Sequence, residues 1–434
     1  MNTDTAVDGD STWSQQNARP RPGYQVGTIV MGAWAACYTG SLLGPFQETL
    51  RAAIALTDNQ MAILQGPTLH LPAIIAGIPI GFLIDRFSRT RLLTVFIAVQ
   101  ILGTTLTAIA PNFLTFLVAR VIVGLMISAT AMNCGALLAS WVSLERRGRA
   151  FTFMGIAQTA GIAAAFVLGG KLAAYFGTGS QGWRWAIAWL MIPVVVVFVA
   201  TLGLQEPPRG EGRDLGGPLR LAVRELWQLR GMVLTLSVGP IVVGMSFMAA
   251  LVWAAPIITR HFGLPPDRVG AIIGAVVLGS GVLGYCTAGV LADFSQRAGG
   301  PRRTVGLMIG LATLQIPACF FGVMPELVGT VLLLALLSIL TNMKSTLCST
   351  VTTLVIPNHL RGLCFGLQNA FAAIFVSLSP VLVSIFSTAI GGPAKVGEAF
   401  AIVGVATTLF GLVTLALGRR SFPAMRSAAA PVSV

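Results

Sequence analysis

The sequence predicts an all-α membrane protein, with twelve transmembrane helices arranged as two pseudo-symmetric six-helix bundles. Three observations predict it. Only 10% of the 434 residues are charged while 55% are hydrophobic, and mean hydropathy is +0.81; a soluble domain carries about 25% charged residues. Apolar runs of about 20 residues or more recur along the whole chain, the length that crosses a bilayer as a helix. Lastly, the chain repeats itself. Gly81-Phe-Leu-Ile-Asp85-Arg86-Phe-Ser-Arg89-Thr-Arg91 returns in altered form at Gly289-Val-Leu-Ala-Asp293-Phe-Ser-Gln-Arg297, and each copy closes one apolar run and opens a basic loop. Gly289 follows Gly81 by 208 residues, and Arg361-Gly362 follows Arg147-Gly148 by 214. Matching loops at half-chain spacing are the sign of a parallel internal repeat.

Taken in order, residues 1–25 are polar and mixed in charge and lack the features of a signal peptide, so they are expected to be a disordered tail. The first bundle is expected over 26–204, with spans at 26–48, 60–84, 91–110, 113–142, 150–176 and 184–204. The loop 205–231 begins Glu206-Pro207-Pro208-Arg209-Gly210, whose prolines and glycine stop a helix. It goes on to a short amphipathic stretch in which Leu219, Val223, Leu226 and Trp227 share a face, as a helix lying at the membrane surface would have them. The second bundle is expected over 232–418, with spans at 232–258, 268–292, 304–323, 327–356, 362–390 and 397–418, followed by a tail at 419–434.

Charge sets the orientation. With the N-terminus in the cytoplasm, inner segments carry 20 basic residues and outer segments five, so both termini are expected inside. This distribution accounts for the net charge of +13 without nucleic acid. The six cysteines all fall in apolar runs without metal-ligand spacing; buried free thiols are expected, with no metal site and no cofactor. Neither a Ser/His/Asp set nor a phosphate-cradling loop stands in the sequence, so an enzyme is not expected.

The duplicated loops are the first functional candidates. Gly81 and Gly289 would let backbones approach, and Asp85 and Asp293 could then reach a helix N-terminus or the arginines Arg86, Arg89 and Arg297. With Arg147 and Arg361 they would form a cytoplasmic latch between the bundles. The alternative is a set of positive-inside charges with local pairing.

These features resemble the major facilitator superfamily: twelve spans, duplicated halves, Gly-x-Leu-x-Asp-Arg-x-x-Arg after the second span, and Arg120-Val-Ile-Val-Gly124 in the fourth. Within it, Asp85-Arg86-Phe87-Ser88-Arg89, Trp183-Arg184-Trp185-Ala186, Glu206-Pro-Pro-Arg-Gly210 and His261-Phe-Gly-Leu-Pro-Pro-Asp-Arg-Val-Gly270 are similar to the spinster-like branch. The resemblance implies the major facilitator fold and the transport of lipids such as lysophospholipids, often with protons. The chain departs from the branch at two points. Thr39 and Gly40 stand where the branch has Asp-Arg, and Ile127 stands at its span-4 Glu, so both acidic groups implied to carry protons are missing.

Ionisable residues within spans cost about 2.5–3.5 kcal/mol each to insert and usually face a cavity or a partner. Arg120 lies about 10 Å into span 4 and Lys344 roughly 25 Å into span 10 at 1.5 Å per residue. No carboxylate lies deep in any span. The resemblance implies that spans 1, 4, 7 and 10 line a central cavity, where Arg120 and Lys344 would face each other. Trp34, Tyr38, His70 and Asn342 are further candidate substrate contacts, followed by Gln65, Asn133, Gln158, Trp253 and Gln368. The structural alternatives are a carbonyl-binding Arg120, a snorkelling Lys344 and a hydrogen-bonded core His70.

The expectation is a monomeric alternating-access transporter in a bacterial inner membrane, carrying an organic anion or a lipid-like amphiphile with an anionic headgroup. A proton-linked drug or metabolite antiporter and a non-transporting membrane sensor are the alternatives.

Overall fold

Backbone N–H and C=O groups in lipid must bond within their own segment or close a barrel. The described residues answer with helices and contain no strand. The computed structural model describes residues 22–143, 146–177, 181–207, 219–357 and 359–422, apart from the side chains of residues 78, 85, 219–222, 297 and 298. Eleven helices among the described residues are long and apolar enough to cross a bilayer.

The chain begins with α1 Pro22–Ser41, so the expected tail is shorter at its described end: residues 22–25 are already helical. A short 3-10 turn leads to α2 Gln47–Ala53. The expected second span, 60–84, is not one helix. It consists of α3 Asp58–Gln65 and α4 Pro67–Arg86, which meet at Gly66. Pro67 cannot supply a helical N–H, and a Cβ at Gly66 would stand 2.5 Å from the Ser377 carbonyl oxygen. The start of α3 is fixed by a reciprocal cap: the Gln60 N–H donates to Thr57 Oγ1 at 3.2 Å and the Thr57 N–H to Gln60 Oε1 at 2.9 Å.

Then come α5 Arg89–Ile109, α6 Phe113–Trp141 and α7 Arg147–Phe176. The expected span 184–204 is broken at Met191 into α8 Gly182–Leu190 and α9 Ile192–Thr201, with Pro193 in the first turn of α9. The expected surface helix is present as α10 Leu219–Gln228, but its apolar residues divide. Leu226 is buried against Val233, Ile356, Leu360 and Cys364, whereas Val223 and Trp227 are exposed; the side chain of Leu219 lies outside the described ones.

The remaining helices are α11 Arg230–Phe262, α12 Pro266–Ala318, α13 Leu327–Val355, α14 Arg361–Ile390 and α15 Val396–Gly418. α12 is two spans joined at Gly299 and Gly300, where the dihedrals leave the helical region; Gly300 has φ 66°, which disfavours a side chain.

Buried apolar residues fall into groups that follow the repeat. One group is drawn wholly from residues 29–197 and contains Tyr38, Phe46, Phe116 and Trp183. A second contains Trp253, Phe321 and Phe400, and α3 and α7 add Ala62, Ala163 and Phe166 to it. Small residues set the closest approach between halves. A Cβ at Gly170 on α7 would lie 2.5 Å from the Pro266 carbonyl oxygen and 3.1 Å from the Gly270 Cα on α12. Lipid is as apolar as the helix surfaces, so this contact rests on close packing rather than on hydrophobic burial.

Candidate functional site

A cavity of about 120 Å³ sits where the halves meet. Its wall includes Gly40, Gln65, His70, Ile127, Phe166 and Leu251. A second cavity of about 330 Å³ lies between α11, α13 and α14 and shares Met248 with the first; Thr341, Ser345, Gln368 and Asn369 line it. Neither wall contains Lys, Arg, Asp or Glu.

The two expected cationic contacts are therefore not on these walls. Both are about 1% exposed. Arg120 donates from Nη2 to the Gly40 carbonyl at 3.0 Å and from Nε to that of Leu64 at 3.3 Å, which stitches α6 to α1 and α3. Its neighbour Gly124 has no room for a side chain, because a Cβ there would be 2.6 Å from Leu69 Cα. Lys344 donates to Gln315 Oε1. The Gln315 amide in turn donates to Ser246 Oγ at 2.7 Å and the Val243 carbonyl at 3.0 Å. Neither cation has a carboxylate partner among the described residues.

That glutamine has a counterpart in the first half: Gln100 donates to Thr39 Oγ1. The two amides stand 215 residues apart, close to the loop repeat. Sequence reading missed them, although the spacing was there to find. Thr39, which replaces an expected acidic residue, thus belongs to a buried amide–hydroxyl pair, and Lys344 has been added to the second copy only.

Of the other candidates, His70 and Gln65 line the first cavity and Gln368 the second. Trp34 and Tyr38 stack at 4.7 Å, and Tyr38 donates to the Leu190 carbonyl at 3.0 Å inside the first half. Trp253 donates to the Pro380 carbonyl at 3.0 Å. Asn342 packs against Gly284 with Nδ2 buried and unpartnered, and Asn133 donates to the Arg89 carbonyl at 2.7 Å.

The residues of the expected latch are described only in part. Within 4 Å of a Cβ at Gly81, Gly148, Gly289 or Gly362 there is nothing, so the glycines of both loop pairs face open space. Asp293 is exposed; the side chains of Asp85 and Arg297 lie outside the described ones. Arg86 lies 5.8 Å from the Phe82 ring. Arg89 donates to Ser140 Oγ at 3.1 Å. Arg147 donates to the Val142 carbonyl at 3.2 Å and Arg361 to that of Ile356 at 3.0 Å, the same five-residue reach in each half. These bonds of Arg89, Arg147 and Arg361 thus go to groups within their own half and do not bridge the halves.

The bridge is at the opposite end, and the sequence did not disclose it. Arg260 at the end of α11 donates to Asp58 Oδ2 and Oδ1, both at 2.9 Å, and to Glu48 Oε1 at 2.7 Å. It also reaches the Pro393 carbonyl at 3.1 Å. A forked guanidinium on two carboxylates is among the strongest polar contacts a protein makes.

Two of the motifs singled out in sequence meet around α5. Glu206 accepts from Ser88 Oγ at 2.6 Å, the Arg89 N–H at 3.0 Å, and the Thr90 N–H and Oγ1 at 3.1 and 2.8 Å. Partial burial alone would raise its pKa, but these four hydrogen bonds outweigh it and hold the carboxyl below the usual range. At the other end Arg184 donates to the Ala108 and Ala110 carbonyls at 2.6 and 3.0 Å. An anion thus sits at the N-terminus of α5 and a cation at its C-terminus, as the helix dipole favours.

With this geometry in hand, the comparisons with known proteins are consistent. The model of the Major Facilitator Superfamily matches residues 29–380, and the chain belongs to that family. It is a membrane transporter by family and not an enzyme. A probable 4-methylmuconolactone transporter of Cupriavidus pinatubonensis (strain JMP 134 / LMG 1197) is 24% identical over 391 residues, 88% of this chain and 89% of the relative. A D-xylose transporter of Levilactobacillus brevis is 28% identical over 176 residues, 39% of this chain and only 38% of the relative's length. Among solved structures, a bacterial homologue of the human lysosomal transporter Spinster, inward-facing and unoccupied, has a TM-score of 0.75 at 18% identity, covering 93% of this chain and 97% of that one. A D-xylose-proton symporter has a TM-score of 0.63 at 18% identity, covering 89% and 96%.

Proposed function

We propose that this protein is a secondary transporter working by alternating access, and that it carries an organic anion or an amphiphile with an anionic headgroup. The observation that carries the reading is the opposition of the two ends. Arg260 ties the halves together beside Glu48 and Asp58, while the glycines of the duplicated loops face open space at the other end. In this reading twelve crossings form two six-helix bundles, 26–204 and 232–418, with α3 and α4 together making the second crossing. Both termini are cytoplasmic in a bacterial inner membrane, and the protein acts as a monomer. The Arg260 end is then the outer gate and the conformation is inward-facing. Gly81, Asp85, Arg86, Arg89, Gly289, Asp293 and Arg297 form the inner latch when the cycle turns over, and Arg147 and Arg361 support it by holding the adjoining helix ends.

An anionic solute is supported by Arg120, a cation without a carboxylate partner among the described residues, which bonds to Gly40 in the cavity wall. Lys344 adds positive charge to the second half. The chemistry of the muconolactone relative, matched along most of its length, points the same way.

The test is a pair of distance measurements in liposomes, with spin labels across the outer end and across the inner end. Arg260→Ala should lengthen the first distance and shorten the second. Two ends that move together, or not at all, would defeat alternating access. Epitope tags at the two duplicated loops should both be protected from outside reagents.

A further inference from the structure

His70 stands out in the wall between the halves. Its ring makes no hydrogen bond to a described residue, although it lines the 120 Å³ cavity. The other polar side chains there are few. Gln65 spends Nε2 on Gln47 Oε1 at 3.0 Å, which leaves Ser41 and the Cys37 thiol. The rest of the wall is apolar, with Ile127, Phe166 and Leu251 among it.

Arg120 lies directly behind this wall. It bonds to Gly40, which is in the wall, and to Leu64, whose chain neighbour Gln65 is. One turn along α6, Gly124 lets that helix touch the α4 backbone at Leu69, next to His70. The cavity therefore has one unspent polar ring, a fixed positive charge behind it, two small polar groups at Ser41 and Cys37, the Gln65 amide, and an otherwise apolar wall.

Three ligand classes fare differently here. A hexose carries several hydroxyls, and each one buried without a partner costs about 1–3 kcal/mol; four polar side chains, one of them already bonded to Gln47, are too few to serve them all. A phosphate headgroup calls for forked or multiple cationic donors, and none lines the wall. The volume is also far below the roughly 300–1,000 Å³ of pockets that take drug-sized molecules. A carboxylate carries a single charge that an imidazole N–H can meet, and a compact hydrocarbon body suits the remaining surface.

We infer that His70 reads a single carboxylate group, and that the solute bound in this cavity is a small monocarboxylate with an apolar body. This rests on the transporter reading above and narrows its solute class.

The test uses the full chain in liposomes with Cys286→Ser and Cys348→Ser, which removes the exposed thiol and the thiol of the second cavity and leaves Cys37 as the most accessible one. Alkylation of Cys37 by N-ethylmaleimide is followed with benzoate, benzamide, D-xylose or glycerol 3-phosphate present, and melting temperature is read on the same panel. Benzoate should protect Cys37 and raise the melting temperature, and the other three should do neither. His70→Phe should raise the benzoate concentration needed by about tenfold or more, as loss of a charged hydrogen bond does, and His70→Gln, which keeps a donor, should recover part of it. The inference is overturned if another compound protects as well as benzoate, if nothing on the panel binds by either measurement, or if His70→Phe binds benzoate like the unaltered protein. The transporter reading fails separately, through the label distances at the two ends, which need no ligand.

Discussion

Arg260 and Asp58 meet through two parallel hydrogen bonds of 2.9 Å although 202 residues separate them in the chain. Glu48 joins the same guanidinium from 212 residues away, and Arg51 lies 3.4 Å from Asp58 and 3.6 Å from Glu48. Two cations and two carboxylates thus close one end of the molecule, and each half contributes to the closure.

Removing Arg260 leaves two carboxylates side by side with only Arg51 between them. The arginine is partly solvated, so a fully buried pair is too strong a guide, and the expected loss is about 1–3 kcal/mol in favour of this conformation. A double-mutant cycle of Arg260→Ala with Asp58→Ala, read as the fraction of molecules with this end closed, should give a coupling of at least about 1 kcal/mol. Additive effects would show that the pair does not hold the halves.

The small residues between α7 and α12 give a second expectation. Gly170→Leu places side-chain atoms where the Pro266 carbonyl already stands, so this conformation should lose stability and the Arg260 end should open. Gly289→Leu meets nothing within 4 Å here and should leave the same conformation intact, while it hinders closure of the other end. Equal melting temperatures for the two variants would contradict the packing described.

Glu206 yields a pH dependence with a definite sign. Its folded-state pKa is held below the usual carboxylate value, so its contribution is fully present above the unfolded-state value, near 4.3, and is lost as pH falls through the depressed one. Hydrogen exchange at the Arg89 and Thr90 amides should therefore be slow at neutral pH after correction for the intrinsic rate. It should speed up at low pH, and in Glu206→Ala at every pH.

Lys344 offers a fourth. Its ammonium is about 1% exposed and rests on a neutral amide, an arrangement with a large desolvation cost. Lys344→Met should melt at the same temperature or higher, since Gln315 Oε1 keeps Thr341 Oγ1 at 3.4 Å. A transport defect with unimpaired stability would mark the lysine as functional, whereas a lower melting temperature would make it a structural cation.

The candidate site was legible in the sequence only in part. His70 and Gln65 could be picked out as polar residues within a span, and they do line the cavity. Arg120 and Lys344 were picked out by the same logic and lie off these walls, because a guanidinium or ammonium in low dielectric takes the nearest carbonyl, and backbone carbonyls are everywhere in a helix bundle. The arginines of the duplicated loops follow the same rule: Arg147 and Arg361 each take the carbonyl five residues back. The amides Gln100 and Gln315 escaped notice because they carry no charge, although their spacing repeats that of the loops.

The sequence alone determined that this chain lies in a bilayer, that it is helical, that it repeats and which family it belongs to. Hydropathy, loop charge and motif spacing are local or periodic along the chain, and each can be read without knowing which helices touch. Only the tertiary structure decided that Arg260 closes one end, that Glu206 joins the loop at Ser88, and that neutral residues wall the cavity. Those outcomes depend on distances between segments some 100 to 200 residues apart. If the two halves rock as proposed, contacts at either end compete for the same rigid bodies, and a repeat read along the chain does not say which of the two closures a given conformation makes.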